Sequence, residues 1–182
     1  MPAETKHITS LLAEVSAKYS DQLTPTWLFV HIGNQKLYVI ERDHEQCNYT
    51  VSTSKFGIGC KQDSLQTPTG AHVIAQKIGQ GKPMGEIFSA RQATGQIADI
   101  HHTDEATGQD LILSRIMWLK GLENNKNSGE GCDSYQRYIY IHGTHEEGLL
   151  GIPASHGCVR MSNDDVIELF NCVDEGAFVY IH

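Results

Sequence analysis

What most constrains the fold is a succession of short runs rich in β-branched and aromatic residues, set between polar, glycine-bearing segments. After Pro25 come TWLFVHI and KLYVIE, separated by Gly33-Asn34-Gln35, which reads as a hairpin. NYTVSTS, AHVIAQKI, DLILSRIMWL and RYIYIHG follow, and GAFVYIH closes the chain. Runs this short and this rich in β-branched and aromatic residues predict strands rather than helices. Two exceptions flank them. Ile8, Leu11, Leu12 and Val15 recur at helical spacing within residues 3 to 19. Near the other end, MSNDDVIELFNCVDEG offers Ser162 or Asn163 as N-cap, Asp165 for a box-like start, and Val166, Leu169, Phe170 and Val173 as an apolar stripe. Gly176 is placed to end that helix. The expectation is a mainly β fold, with residues 1–25 as an N-terminal helical segment and 26–182 as the main domain. Residues 79 to 109 and 121 to 136 read as loops, and the second, polar and next to the chemistry described below, reads as a lid.

Composition excludes several classes. The 182 residues carry a net charge of -8, and the fourteen Lys and Arg residues are scattered, which argues against a nucleic-acid interface. No run approaches the roughly 20 apolar residues of a membrane span. The N-terminal sequence shows no basic and apolar leader, so the chain is expected in the cytoplasm, with the periplasm as the alternative if a leader has been removed. Five cysteines, an odd number without a CxxC pair, predict reduced thiols. Cys47, Cys60 and Cys172 are then expected to be small buried hydrophobes.

The chemistry concentrates in Ile141 to Met161, IHGTHEEGLLGIPASHGCVRM. A cysteine nucleophile needs a base, a group that orients the base, and donors for an oxyanion. His142 ends a stiff β run, and Cys158 follows sixteen residues later in Ser155-His156-Gly157-Cys158, where Gly157 gives the backbone freedom to turn. Amide groups of such a turn can converge on a carbonyl oxygen, and removing one oxyanion donor costs roughly 3–4 kcal/mol of barrier. His142 and His156 are placed to help form or stabilise a thiolate, and Arg160 adds positive charge.

SHGCVRM preceded by IHGT, together with Thr67-Pro68-Thr69-Gly70 entering a strand, resembles the L,D-transpeptidase catalytic domain family of the YkuD type over roughly residues 26 to 182. The resemblance implies a β-sandwich-like domain with a cradle around the cysteine. It implies Cys158 as nucleophile, His142 as base and the Gly143 carbonyl as its orienting group. Ser155, His156 and Gly157 would shape the substrate and oxyanion site, with Arg160 supporting the loop or meeting a substrate carboxylate. The partners would be peptidoglycan stem peptides or muropeptides, with no cofactor. A leaderless member reads as an L,D-carboxypeptidase that trims tetrapeptide stems for recycling; cross-linking or exchange by transpeptidation is the alternative.

Two rivals of other classes stand beside this. His142, His145, His156 and Cys158 are ligand types that suit zinc, although a spacing of three needs a helix or turn and His142 ends a strand. A wall-fragment-binding module would not need a thiol beside an imidazole. Elsewhere His31 and His72 are expected to be structural, His101-His102 and Glu146-Glu147 to form solvated loops, and Arg115 to face solvent or meet a substrate carboxylate.

Overall fold

The computed structural model describes residues 3–42 and 44–182. Residues 1 and 2 of the N-terminal segment lie outside the described residues. Among the described residues, ten strands form one mixed sheet. They are β1 (Thr26–His31), β2 (Lys36–Glu41), β3 (His44–Thr50), β4 (Gly70–Ile78), β5 (Glu86–Ser89), β6 (Gln92–Ile97), β7 (Ile112–Gly121), β8 (Tyr140–Gly143), β9 (Val159–Met161) and β10 (Phe178–Ile181). The main path runs β3-β2-β1-β10-β4-β7-β5-β6, and β8 branches from β7 to carry β9. Helix α1 (Ala3–Lys18) precedes β1, and α2 (Asn163–Cys172) joins β9 to β10.

Alternation along the strands explains the layers. Leu28 and Val30 of β1 and Leu37 and Val39 of β2 face one core; Trp27, Phe29, Tyr38 and Ile40 face the other. The first core gathers Met117 and Leu119 of β7, Ile141 of β8, Val159 and Met161 of β9, and Val166, Leu169 and Phe170 of α2. The second is closed by α1, whose Ile8 and Val15 are buried against it as the helical spacing predicts. Fully burying one such side chain stabilises by about 1.5–3 kcal/mol.

The end of α2 differs from expectation. Ser162 caps its start by accepting the Asp165 amide, but the helix stops at Cys172, with Val173 extended. Gly176 instead adopts φ +87° in the turn before β10. The loop at 79 to 109 also differs, because it holds the β5–β6 hairpin, closed by the two-residue turn Ala90-Arg91 between Ser89 and Gln92.

The cysteine reading needs correction. Cys60 and Cys132, 72 residues apart in sequence, form a disulfide, while Cys172 is exposed. The odd count hid the pair, because only the fold brings the two loops together. The segment at 121 to 136 is accordingly no free lid. The disulfide ties it to the 55–66 loop, and the buried Asn127 amide donates to the carbonyls of Thr69 and Ala71. The Ser134 hydroxyl meets His72 Nε2 at 2.9 Å.

Candidate active site

β8 and β9 run parallel, with Ile141 opposite Val159 and His142 opposite Arg160. The pleat therefore places His142, Arg160 and the residue before β9, Cys158, on one face. The thiol and the imidazole share a side of the sheet.

Each partner is held from its own neighbourhood. The Cys158 sulfur receives the Tyr140 amide at 3.3 Å and donates to the Tyr138 carbonyl at 3.4 Å. The bend that presents it is braced by buried Ser155, whose hydroxyl donates to the Cys158 carbonyl at 2.6 Å and accepts the Gly157 amide at 3.2 Å. Gly157 sits at φ +126°, a region L-residues rarely adopt. Thr67 of the TPTG motif fastens the same bend by donating to the Gly157 carbonyl at 3.0 Å.

His142 is buried and its Nδ1 lies 2.8 Å from the Gly143 carbonyl. A carbonyl only accepts, so Nδ1 carries the hydrogen and Nε2 presents its lone pair. Gly143 must be small: a Cβ there would lie 2.6 Å from Asn163 Oδ1 and 2.9 Å from the Leu113 carbonyl.

The acidic residue that organises the site is Asp110, just before β7, which the sequence reading passed over. Its Oδ2 lies 2.6 Å from His156 Nδ1, and its Oδ1 lies 2.7 Å from Arg160 Nη2 and 3.0 Å from Nε. Arg160 is buried and spends its remaining nitrogen, Nη1, on Glu146 at 2.8 Å. With both of its faces on carboxylates, Arg160 supports the loop and is not open to a substrate. Glu146 also departs from expectation: it is buried, accepting both the amide and the hydroxyl of Thr107 as well as Arg160. Glu147 accepts the Asn163 amide at the start of α2.

Charge follows from this packing. Burial lifts the Cys158 thiol to about 12, with the Asp110 carboxylate adding to the rise and the Tyr140 amide, Arg160 and Arg137 opposing it. Burial also pushes His142 below the usual imidazole range, against the pull of Asp110 and the Gly143 carbonyl. For Asp110 burial works upward, but His142, Arg160 and His156 outweigh it and hold the carboxyl below its usual range. At rest both groups are neutral, the thiol held up by burial and the imidazole held down by it. A proton passed to His142 meets the Asp110 charge and the Gly143 carbonyl.

The imidazoles of the zinc alternative point to separate partners: His142 to Gly143, His145 Nε2 to Thr107, His156 to Asp110. Among the described residues no group of three or more His, Cys, Asp or Glu side chains is arranged to hold a metal. Arg115 is buried rather than solvent-facing, donating from Nη1 to the carbonyls of Lys82 and Ser114. No helix among the described residues is long and apolar enough to cross a membrane.

Residues 25–181 match the model of the YkuD L,D-transpeptidase catalytic domain. The chain belongs to that family. Among curated relatives it is 33% identical over 85 residues to the putative L,D-transpeptidase YkuD of Bacillus subtilis, covering 44% of this chain and 46% of the relative. It is 46% identical over 45 residues to the putative L,D-transpeptidase YqjB of the same organism, covering 25% and 26%. The matches thus span less than half the length of either relative. Among solved structures, L,D-transpeptidase 3 of Mycobacterium tuberculosis, in complex with a faropenem-derived adduct, superposes with a TM-score of 0.55 at 17% identity, over 87% of this chain and 60% of that one. An L,D-transpeptidase of Enterococcus faecium gives 0.50 at 15% identity, over 88% and 50%. At these identities the structures speak for the shared fold.

Proposed function

We propose that this chain is a cysteine acyl-transfer enzyme acting on peptidoglycan stem peptides, with Cys158 as nucleophile and His142 as base. The observation that carries the reading is the placement of thiol and correctly protonated imidazole on one face of the β8–β9 pair. As sulfur attacks the carbonyl joining the diamino residue to the terminal D-alanine, the thiol proton passes to His142 Nε2. The tetrahedral oxyanion collapses, the C–N bond breaks, and the imidazolium returns its proton to the departing amine. A thioester remains on Cys158. The Gly157 amide is engaged by Ser155, which leaves the amides of His156 and Cys158 as the oxyanion donors. Ser155, Thr67 and Arg160 then act by holding the bend.

The thioester has two fates. Water gives a trimmed tripeptide, the L,D-carboxypeptidase outcome; an amine of a second stem gives a cross-link. The Cys60–Cys132 disulfide favours the second, because disulfides persist in oxidising compartments, where polymerised wall supplies amine acceptors. Incubation with a tetrapeptide stem, followed by mass spectrometry, tests both levels. Release of D-alanine with a stem-derived adduct on Cys158 is expected, and cross-linked dimer when acceptor is present. Tripeptide alone would convert the reading to a carboxypeptidase. Absence of both adduct and D-alanine would end the acyl-transfer reading.

A further inference from the structure

We propose that Arg91 is the specificity-determining residue that binds a free carboxylate of the acyl-donor stem. The inference deepens the acyl-transfer reading and rests on it.

Two arginines act on the thiol, Arg160 and Arg137, and both are engaged by the protein; a third, Arg91, stands one tyrosine away. Arg160 is locked between Asp110 and Glu146. Arg137 donates to the carbonyls of Gly59 and Gln66 and to the Ser64 hydroxyl. Arg91 has no carboxylate partner among the described residues. Its guanidinium lies 4.8 Å over the Trp118 ring and 4.9 Å over the Tyr138 ring, and Nη1 donates to the Tyr140 hydroxyl at 3.3 Å. The shelf beneath it is rigid: Trp118 stacks on Tyr135 at 4.0 Å with planes 5° apart, and the indole N–H donates to the Tyr135 carbonyl. Cation–π contact and one hydrogen bond fix the guanidinium plane and leave its other donors open.

The position relative to the thiol is set by Tyr140. Its amide meets the Cys158 sulfur and its hydroxyl meets Arg91, so one tyrosine side chain separates the cation from the nucleophile. Cys158 packs against the same aromatic cluster. A tetrapeptide stem seated with its scissile carbonyl on Cys158 carries several carboxylates: on the γ-linked glutamyl residue, on the side chain of a dicarboxylic diamino residue, and at its terminus. A guanidinium clamps any of these through paired N–H donors.

The turn that carries Arg91 adds an independent sign. Ala90 and Arg91 both have positive φ, 47° and 68°, in a two-residue hairpin that ordinarily takes Asn-Gly. Strain of this kind gathers at functional sites, and here it aims the arginine inward over the shelf.

Acylation rates of wild type, R91Q, R91K and R91G are to be compared on the free stem and on stems amidated singly at each carboxylate. One amidation is expected to lower wild-type kcat/KM at least tenfold and so to name the carboxylate read. R91Q is expected to lose a similar factor on the free stem and to become indifferent to that amidation; R91K, a point charge, retains part of the preference. R91G separates function from structure: it relaxes the left-handed turn, so its Tm stays at or above wild type while the preference disappears. Full wild-type kcat/KM in R91Q, continued discrimination by R91Q, or a wild type indifferent to every amidation overturns the proposal. A wild type that releases D-alanine from no stem overturns the acyl-transfer reading and takes this proposal with it.

Discussion

Asp110 Oδ1 lies 2.7 Å from Arg160 Nη2, so the carboxylate whose charge acts on the proposed base is itself anchored by a buried guanidinium. This pairing fixes the position from which Asp110 acts on His142. D110N removes a charge that holds the His142 pKa up. The acid limb of kcat/KM therefore moves to lower pH, while kcat falls by about 10–100-fold as the imidazolium loses its support. Leaving Arg160 with Glu146 alone also destabilises the fold by about 3 kcal/mol, measurable by denaturant unfolding.

The neutral thiol–imidazole pair predicts a distinctive pH profile. The base is lost on acidification only below the ordinary imidazole range, and the thiol ionises near 12. Alkylation of Cys158 by iodoacetamide is expected to rise through pH 10 without a plateau. A plateau beginning near neutrality would indicate a preformed thiolate.

His72 predicts a pH-dependent stability. It is buried between the Gly70 carbonyl and the Ser134 hydroxyl, and burial lowers its pKa to about 4. Between about 4 and 6.5 the unfolded chain binds the proton and the folded chain does not, so stability falls as pH drops through this window. The loss reaches about 3 kcal/mol. H72Q flattens that slope in urea titrations at pH 4.5 and 7.

Cys60 and Cys132 predict a redox effect on both stability and rate. Closing a 72-residue separation restricts the unfolded chain by about 4 kcal/mol in the loop-entropy account. C132S or reduction is expected to lower Tm and to slow acylation, since the freed segment leads directly into Tyr138, whose carbonyl meets the thiol.

The parts legible in the sequence were those with local signals. The β-rich runs marked most of the strands, and the Ser162 cap marked the start of α2. The run from Ile141 to Met161 pointed to His142 and Cys158, because stiffness, a glycine turn and reactive side chains coincide there. Asp110 left no such mark: one acid ahead of an apolar run reads as a strand border, and its importance arises only when β7 brings it beside β9. Glu146 looked solvated because its partners lie 14 and 39 residues away. The β5–β6 hairpin was missed because Ala90-Arg91 carries neither glycine nor asparagine, the residues that ordinarily announce such a turn.

The parallel course of β8 and β9 sets how the molecule tolerates change. The connection from Gly143 must travel back along both strands before Val159 can pair, and its exposed stretch near Gly151 can lengthen or shorten while the pairing holds. One residue inserted between Cys158 and Val159 has the opposite effect. With a side-chain period of two, it turns the sulfur toward the apolar interior and away from the imidazole. Variation in this chain thus has a safe half and a forbidden half within a single crossover.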